Sequence, residues 1–245
     1  MIVQLQMLGT GSAFAKTYWN NNGIFTAGDT SYLIDCGITA PAALHHMHRS
    51  FDDFAGVIVT HIHADHVGGL EEYAFQMKFR YGRKPKLILA STLVETLWEH
   101  TLKGGLTQEG IQSLEDVFEV CRVEPGTSYT LVDGISLQFI ETPHIKGRLS
   151  YSLLFNDSFF YSGDMRFQPE LLTRLVQQGV KHIWHDCQLT GPGEVHTTIS
   201  ELLTLPQAVQ ERVSLMHYGD ERQQYEGKTG VMPFINQHEV YTLSI

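Results

Sequence analysis

This chain of 245 residues is poor in cysteine, in positive charge and in long apolar runs. Its three cysteines, Cys36, Cys121 and Cys187, are odd in number and far apart. That excludes a disulfide framework and fits a reducing cytoplasm. No apolar stretch approaches the ~18 residues that span a membrane, so no membrane association is expected. Residues 1–7 carry neither a basic start nor a long apolar core, and read as a strand, not a signal peptide. Seventeen Lys and Arg face 27 Asp and Glu, giving a net charge of −10. A protein that coats long nucleic acid needs the opposite sign. Local phosphate binding remains open to an acidic chain that holds a metal or a small basic patch.

What is present is ordinary globular material: 42% hydrophobic and 18% charged residues, enough chain for a full core without staples. Histidine is the outlier, with 13 copies. Strands are expected at 2–8, 31–35, 56–60, 86–91, 117–123, 129–132, 135–142, 150–156, 159–163, 182–187, 213–217 and 239–243. Helices are expected at 39–48, 68–80, 92–101, 107–115, 168–178 and 198–210. The connections within 117–163 are too short for crossover helices, so this middle reads as antiparallel. The whole is expected to be one sheet-rich α/β domain over 1–245, with helices outside. Five strand ends deliver a His or Asp (near Thr60, Thr142, Gly163, Asp186 and His217), which points to one shared sheet edge carrying one site.

The densest cluster is Thr60-His61-Ile62-His63-Ala64-Asp65-His66, directly after a buried strand. His61 and His63, two apart in an extended loop, point the same way and can grip one ion. Asp65 and His66 open a helix and turn toward a neighbouring position. Asp65 is also a possible cap for that helix.

His61-x-His63-x-Asp65-His66 resembles the dinuclear motif of the metallo-β-lactamase superfamily, whose αββα sandwich is therefore the expected fold. The resemblance extends to Gly9-Thr10-Gly11-Ser12, to Tyr32–Gly37, and to His144, Asp164 and His217 in order. It implies one metal on His61, His63, His144 and Asp164, and another on Asp65, His66, His217 and the bridging Asp164. Such nitrogen-rich shells suit Zn²⁺, two per chain, with Mn²⁺ or Fe able to occupy similar sites. Two ions roughly 3.5–4 Å apart can activate water and clamp a phosphoryl group. Asp35 is expected to support the shell. Cys187 reads as a buried structural residue.

Within that superfamily the chain is similar to the tRNase Z-like phosphodiesterases, through Gly9-Thr10-Gly11, a His185-Asp186 pair and His196-Thr197-Thr198. The pair carries Asp where those enzymes carry Glu. The resemblance implies that His196, oriented by Asp186, donates a proton to the leaving oxygen, while Asp65 both binds metal and orients the attacking water. The enzymes that grip tRNA carry a long arm between the His144-type and Asp164-type ligands, whereas this chain has only 145–163 there. An arm-less design of this length resembles the anti-Pycsar cyclic-nucleotide phosphodiesterases, which degrade cyclic mononucleotide immune signals. The expected partner is thus a small cyclic nucleotide, with Lys146 and Arg148 as candidate substrate-binding cations. A homodimer is the expected assembly. The rival readings are a tRNA-processing nuclease, a lactonase or thioesterase, and a ligand-sequestering protein without turnover. The basic run 78–86 reads as a charged helix end and turn. Residues 102–114 read as a surface helical hairpin, with a lid or a dimer element as the alternatives.

Overall fold

The structure is a computed structural model and describes residues 2–245. One sheet contains β1 (Ile2–Gly9), β2 (Asn22–Ala27), β3 (Thr30–Ile34), β4 (Gly56–Val59), β5 (Lys86–Ala90), β6 (Glu119–Val123) and β13 (Val240–Ser244). Its order is β13-β1-β2-β3-β4-β5-β6. The second sheet contains β7 (Tyr129–Val132), β8 (Ile135–Glu141), β9 (Tyr151–Phe155), β10 (Phe159–Tyr161), β11 (His182–Asp186) and β12 (Val213–Met216), in the order β12-β11-β10-β9-β8-β7.

The sheets meet face to face. Phe25 of β2 stacks on Phe155 of β9 at 4.5 Å between ring centroids, and Leu5, Ile34, Phe139 and Leu153 join the same core. Burying each such side chain is worth roughly 1.5–3 kcal/mol. Helices cover the outer faces. Ala43 and Leu44 of α1 (Ala40–His46), with Leu70 and Tyr73, pack on the first sheet. Leu172 and Leu175 of the helix Pro169–Gln177 pack with Ile183, Val213 and Leu215 of the second. The result is the expected αββα sandwich. All four residues of β4 are buried, as a parallel strand covered on both sides requires. No helix among the described residues is long and apolar enough to cross a membrane.

Several expectations need correction. The strand near 117–123 is not part of the antiparallel run: β6 pairs parallel with β5 in the first sheet. The segment Ser91–Glu109 supplies the crossover between them. The antiparallel pattern holds from β7 to β10. Strand β2 was not expected, because Asn20-Asn21-Asn22 and Gly28-Asp29 flank only a short apolar core. The helix expected at 107–115 is two isolated 3₁₀ turns, separated by Gly110 at φ 75°. The helix expected at 198–210 is split into Ile199–Leu202 and Gln207–Gln210, with Pro206 at the second N-cap. Within 102–114, Leu102, Leu106, Ile111 and Leu114 are buried in the main core while Lys103, Gln108 and Gln112 are exposed, so the stretch packs one face on the domain and is not a detached lid. In the basic run, Arg83 pairs with Asp52 at 2.6 Å and Lys84 Nζ donates to the Glu115 carbonyl.

Candidate metal centre

The site lies where strands of both sheets end. After β4 the chain runs through Thr60 to His63 into α2 (Ala64–Val67). His144 follows β8, Asp164 follows β10, Asp186 ends β11 and His217 follows β12. The motif loop is fixed from behind. Gly37 lies so close that a Cβ there would sit 1.8 Å from the Asp65 carbonyl oxygen. Buried Asn22 bridges the two segments: its Nδ2 donates to the Asp65 carbonyl at 2.9 Å and its Oδ1 accepts from Gly37 N–H at 2.7 Å. Sequence reasoning missed Asn22. The only signal was three consecutive asparagines with no apparent surface role.

Hydrogen bonds fix which ring nitrogen each histidine presents. Asp35 Oδ2 lies 2.7 Å from His66 Nδ1, and a carboxylate can only accept, so that nitrogen carries a proton. Thr60 Oγ1 donates to Asp35 Oδ2 at 2.8 Å and so accepts from His61 Nδ1, 3.1 Å away. The Val195 carbonyl lies 2.7 Å from His144 Nδ1. His61, His66 and His144 therefore aim Nε2 into the centre, each ring held by a partner on its far side, as metal-ligating histidines usually are.

Two sets of ligand atoms converge. His61, His63, His144 and Asp164 form one, and Asp65, His66, Asp164 and His217 the other, with atoms of each set within 4.8 Å of one another. Asp164 belongs to both. These seven residues are the ones the resemblance implied. The donor set fits two cations. His61 Nε2 and His63 Nδ1 stand 3.0 Å apart, and His144 Nε2 lies 3.3 Å from the same His63 nitrogen. Three imidazole nitrogens converging on one point suit a cation between them. His66 Nε2 and Asp164 Oδ1 are fully buried and lack a hydrogen-bond partner.

Electrostatics agree with that fit. Burial, then neighbouring imidazoles, hold His61 well below its ordinary pKa; His63 and His144 are lowered chiefly by burial. All three are neutral and ready to ligate. His66 is the opposite case: burial lowers it, but Asp164, Asp65 and Asp35 outweigh burial and raise it well above its usual value. Burial would raise Asp164 and Asp65, yet the surrounding histidines keep both carboxyls below the ordinary range.

Beside the two sets, His196 Nδ1 lies 3.1 Å from Asp186 Oδ2. Burial pulls the His196 imidazole down, but this hydrogen bond and the charges of Asp164 and Asp186 push it up to about 9. Its Nε2 makes no hydrogen bond among the described residues. Asp164, Asp186, His196 and His217 also bring ligand atoms within 4.8 Å of one another. The Asp186 carboxylate, however, already engages His196, and Asp164 and His217 are shared with the sets above. His185 Nδ1 donates to the Asp186 carbonyl at 2.8 Å and lies 3.1 Å from Asp186 Oδ1.

Two cavities flank the centre. One, of about 510 Å³, is lined by His61, His63, His144, His100 and Arg148. The other, of about 470 Å³, is lined by His196, His217, Phe14 and Glu221. Arg148 thus reaches the site rim, whereas Lys146 is exposed and stands outside both linings. His100 and Phe14 were not singled out from sequence, since nothing local marks a rim residue.

Comparison with known proteins agrees with this architecture. The profile of the family described as "Anti-Pycsar protein Apyc1" matches residues 3–241. The anti-Pycsar protein Apyc1 of Paenibacillus sp. (strain J14) is 56% identical over 245 residues, covering 99% of this chain and 100% of that protein. The protein of the same name from Paenibacillus harenae is 52% identical, covering 98% and 99%. Among solved structures, the metallo-β-lactamase fold protein YhfI from Bacillus subtilis superposes with a TM-score of 0.78 at 15% identity, covering 99% of this chain and 100% of that one. The fold is therefore the metallo-β-lactamase fold, and the chain belongs to the anti-Pycsar protein Apyc1 family.

Proposed function

We propose that this chain is a metal-dependent phosphodiesterase that opens cyclic mononucleotides to linear nucleotides. The observation that carries the reading is the pair of His/Asp sets joined by Asp164, with a proton-bearing histidine, His196, beside them. Bound cations, Zn²⁺ by donor type, supply an acidified water and neutralise charge on the phosphoryl oxygens. The chain's residues do the rest. Asp65 orients the attacking water and Asp164 holds the two ligand sets in register. As the new P–O bond forms and the ester P–O bond breaks, His196 gives its proton to the departing oxygen, and Asp186 steadies the resulting neutral imidazole. The Asp186 carboxylate, 3.1 Å from His196 Nδ1, holds the imidazole in its proton-donating orientation. Arg148 is positioned to steady a phosphate at the rim.

A small substrate is favoured over tRNA by the net charge of −10 and by segment 145–163, which holds one loop and the β9–β10 hairpin, with no gripping arm. The family's name, read with the resemblance drawn from sequence, points to cyclic mononucleotides. The test is incubation of the metal-loaded protein with 3′,5′-cyclic mononucleotides, a tRNA precursor and a lactone, with product identification. At least one cyclic nucleotide should yield a linear nucleotide, chelator should abolish turnover, and salt dependence should be shallow. Salt-sensitive tRNA cleavage without cyclic-nucleotide turnover overturns the reading.

A further inference from the structure

We infer that Phe14 is the stacking platform for the substrate's nucleobase, in the cavity on the His196 side of the centre. This rests on the phosphodiesterase reading above. In a cyclic phosphodiester both ester oxygens belong to the same sugar, so the departing oxygen stays on the ribose. The group that protonates it must therefore stand beside the sugar. His196 lines the 470 Å³ cavity and not the one bearing Arg148. Sugar and base consequently extend toward the wall formed by Phe14, Thr190 and Glu221.

Phe14 is the most exposed large hydrophobic side chain among the described residues, at 87%. A bare ring at a cavity rim is available for stacking on both faces. The loop that carries it is tethered. Lys16 N–H and Thr17 N–H both donate to the Asp220 carboxylate, at 2.9 and 2.8 Å, and Ser12 N–H donates to the Tyr218 carbonyl at 3.0 Å. The backbone that presents the ring is thus ordered before any ligand arrives, which lowers the ordering cost of binding. Stacking on an aromatic ring tolerates any base, because every base has a π-face. Across the cavity mouth, Thr190 Oγ1 donates to Glu221 at 3.1 Å, and this pair supplies polar atoms for a base edge.

The test compares affinities of the metal-loaded protein for adenosine 5′-monophosphate, which has a base, and ribose 5-phosphate, which lacks one. Phe14→Ala should weaken nucleotide binding about 5- to 100-fold while changing ribose 5-phosphate binding less than about twofold. Phe14→Trp should retain the nucleotide affinity. Phe79→Ala, which removes another exposed phenylalanine, should change neither. Equal affinities of wild type for the two ligands, or equal losses for both in Phe14→Ala, overturn the platform. Cyclic-nucleotide turnover by wild type is scored separately. Turnover without the affinity split overturns the platform alone, and the split without turnover overturns the phosphodiesterase reading alone.

Discussion

Asp35→Asn should weaken metal binding at both positions, and more at the one built on His66. Asp35 is completely buried and sits at φ 60°. Asparagine tolerates that left-handed backbone, so the substitution tests chemistry more than folding. The carboxylate accepts from Thr60 N–H at 2.8 Å on Oδ1, and from Thr60 Oγ1 and His66 Nδ1 at 2.8 and 2.7 Å on Oδ2. An amide cannot reproduce this. With its oxygen toward Thr60 N–H, its NH₂ faces the His66 Nδ1 proton. His66 must then move its proton to Nε2, the nitrogen that would ligate. With the amide flipped, NH₂ meets a buried backbone N–H, which has no second tautomer, and a donor is left unpaired at a cost of about 1–3 kcal/mol. Losing such a partner typically costs about 10- to 100-fold in metal affinity. His61 feels the change only through the Thr60 hydroxyl, which can rotate, so its loss should be smaller. Stepwise competition with a chromophoric chelator resolves the two affinities, and ¹⁵N spectra of the imidazoles report the His66 tautomer. Wild-type affinity at both positions, or a larger loss at the His61 position, would refute the argument.

Loading the protein with Zn²⁺ at neutral pH should release a proton from His66, because three carboxylates keep that imidazole charged until a cation replaces the proton. Affinity should accordingly rise with pH up to the His66 pKa; calorimetry in buffers of different ionisation enthalpy measures the release, and a buffer-independent heat would contradict it. His196→Ala should retain the full metal content found in wild type yet lose about 10²- to 10⁴-fold in cyclic-nucleotide turnover, with a much smaller loss on a nitrophenyl phosphodiester, whose leaving group needs no proton. Equal losses on both substrates, or loss of one metal equivalent, would reassign His196 to the ligand shell.

The strongly local features were legible in the sequence. The motif from His61 to His66 sits in six consecutive residues after an apolar strand, and its ligand geometry follows from an extended loop meeting a helix. His144, Asp164 and His217 carry no such local mark; each became readable only through its likeness to a family pattern. Features made by contact between distant segments were not legible. Asn22 matters because it bridges Gly37 and Asp65, and nothing near it in sequence announces either partner. Lys146 and Arg148 look equivalent along the chain, but only Arg148 lines a cavity. The error at β6 has a similar origin: a short apolar strand does not reveal which sheet edge it will join, and the crossover through Ser91–Glu109 decided it.

On the proposed phosphodiesterase reading, the charge balance of the centre accounts for an acidic protein taking an anionic substrate. Asp65 and Asp164 place two carboxylates among five imidazoles, of which His61, His63 and His144 are held neutral. Against two divalent ions this donor set leaves about two positive charges at the centre. A phosphodiester carries one negative charge and gathers roughly a second as water attacks, so the centre matches the transition state better than the ground state. That compensation is confined to one phosphate. A chain of phosphates would meet, beyond the centre, a surface that stays net acidic even without the four carboxylates buried there (Asp35, Asp65, Asp164 and Asp186), and Arg148 alone among Lys146 and Arg148 lines the site. Each extra phosphate would then be repelled instead of releasing counterions. On the phosphodiesterase reading, selection for a single, compact phosphodiester would follow from how the charge is distributed, with no need for a steric gate.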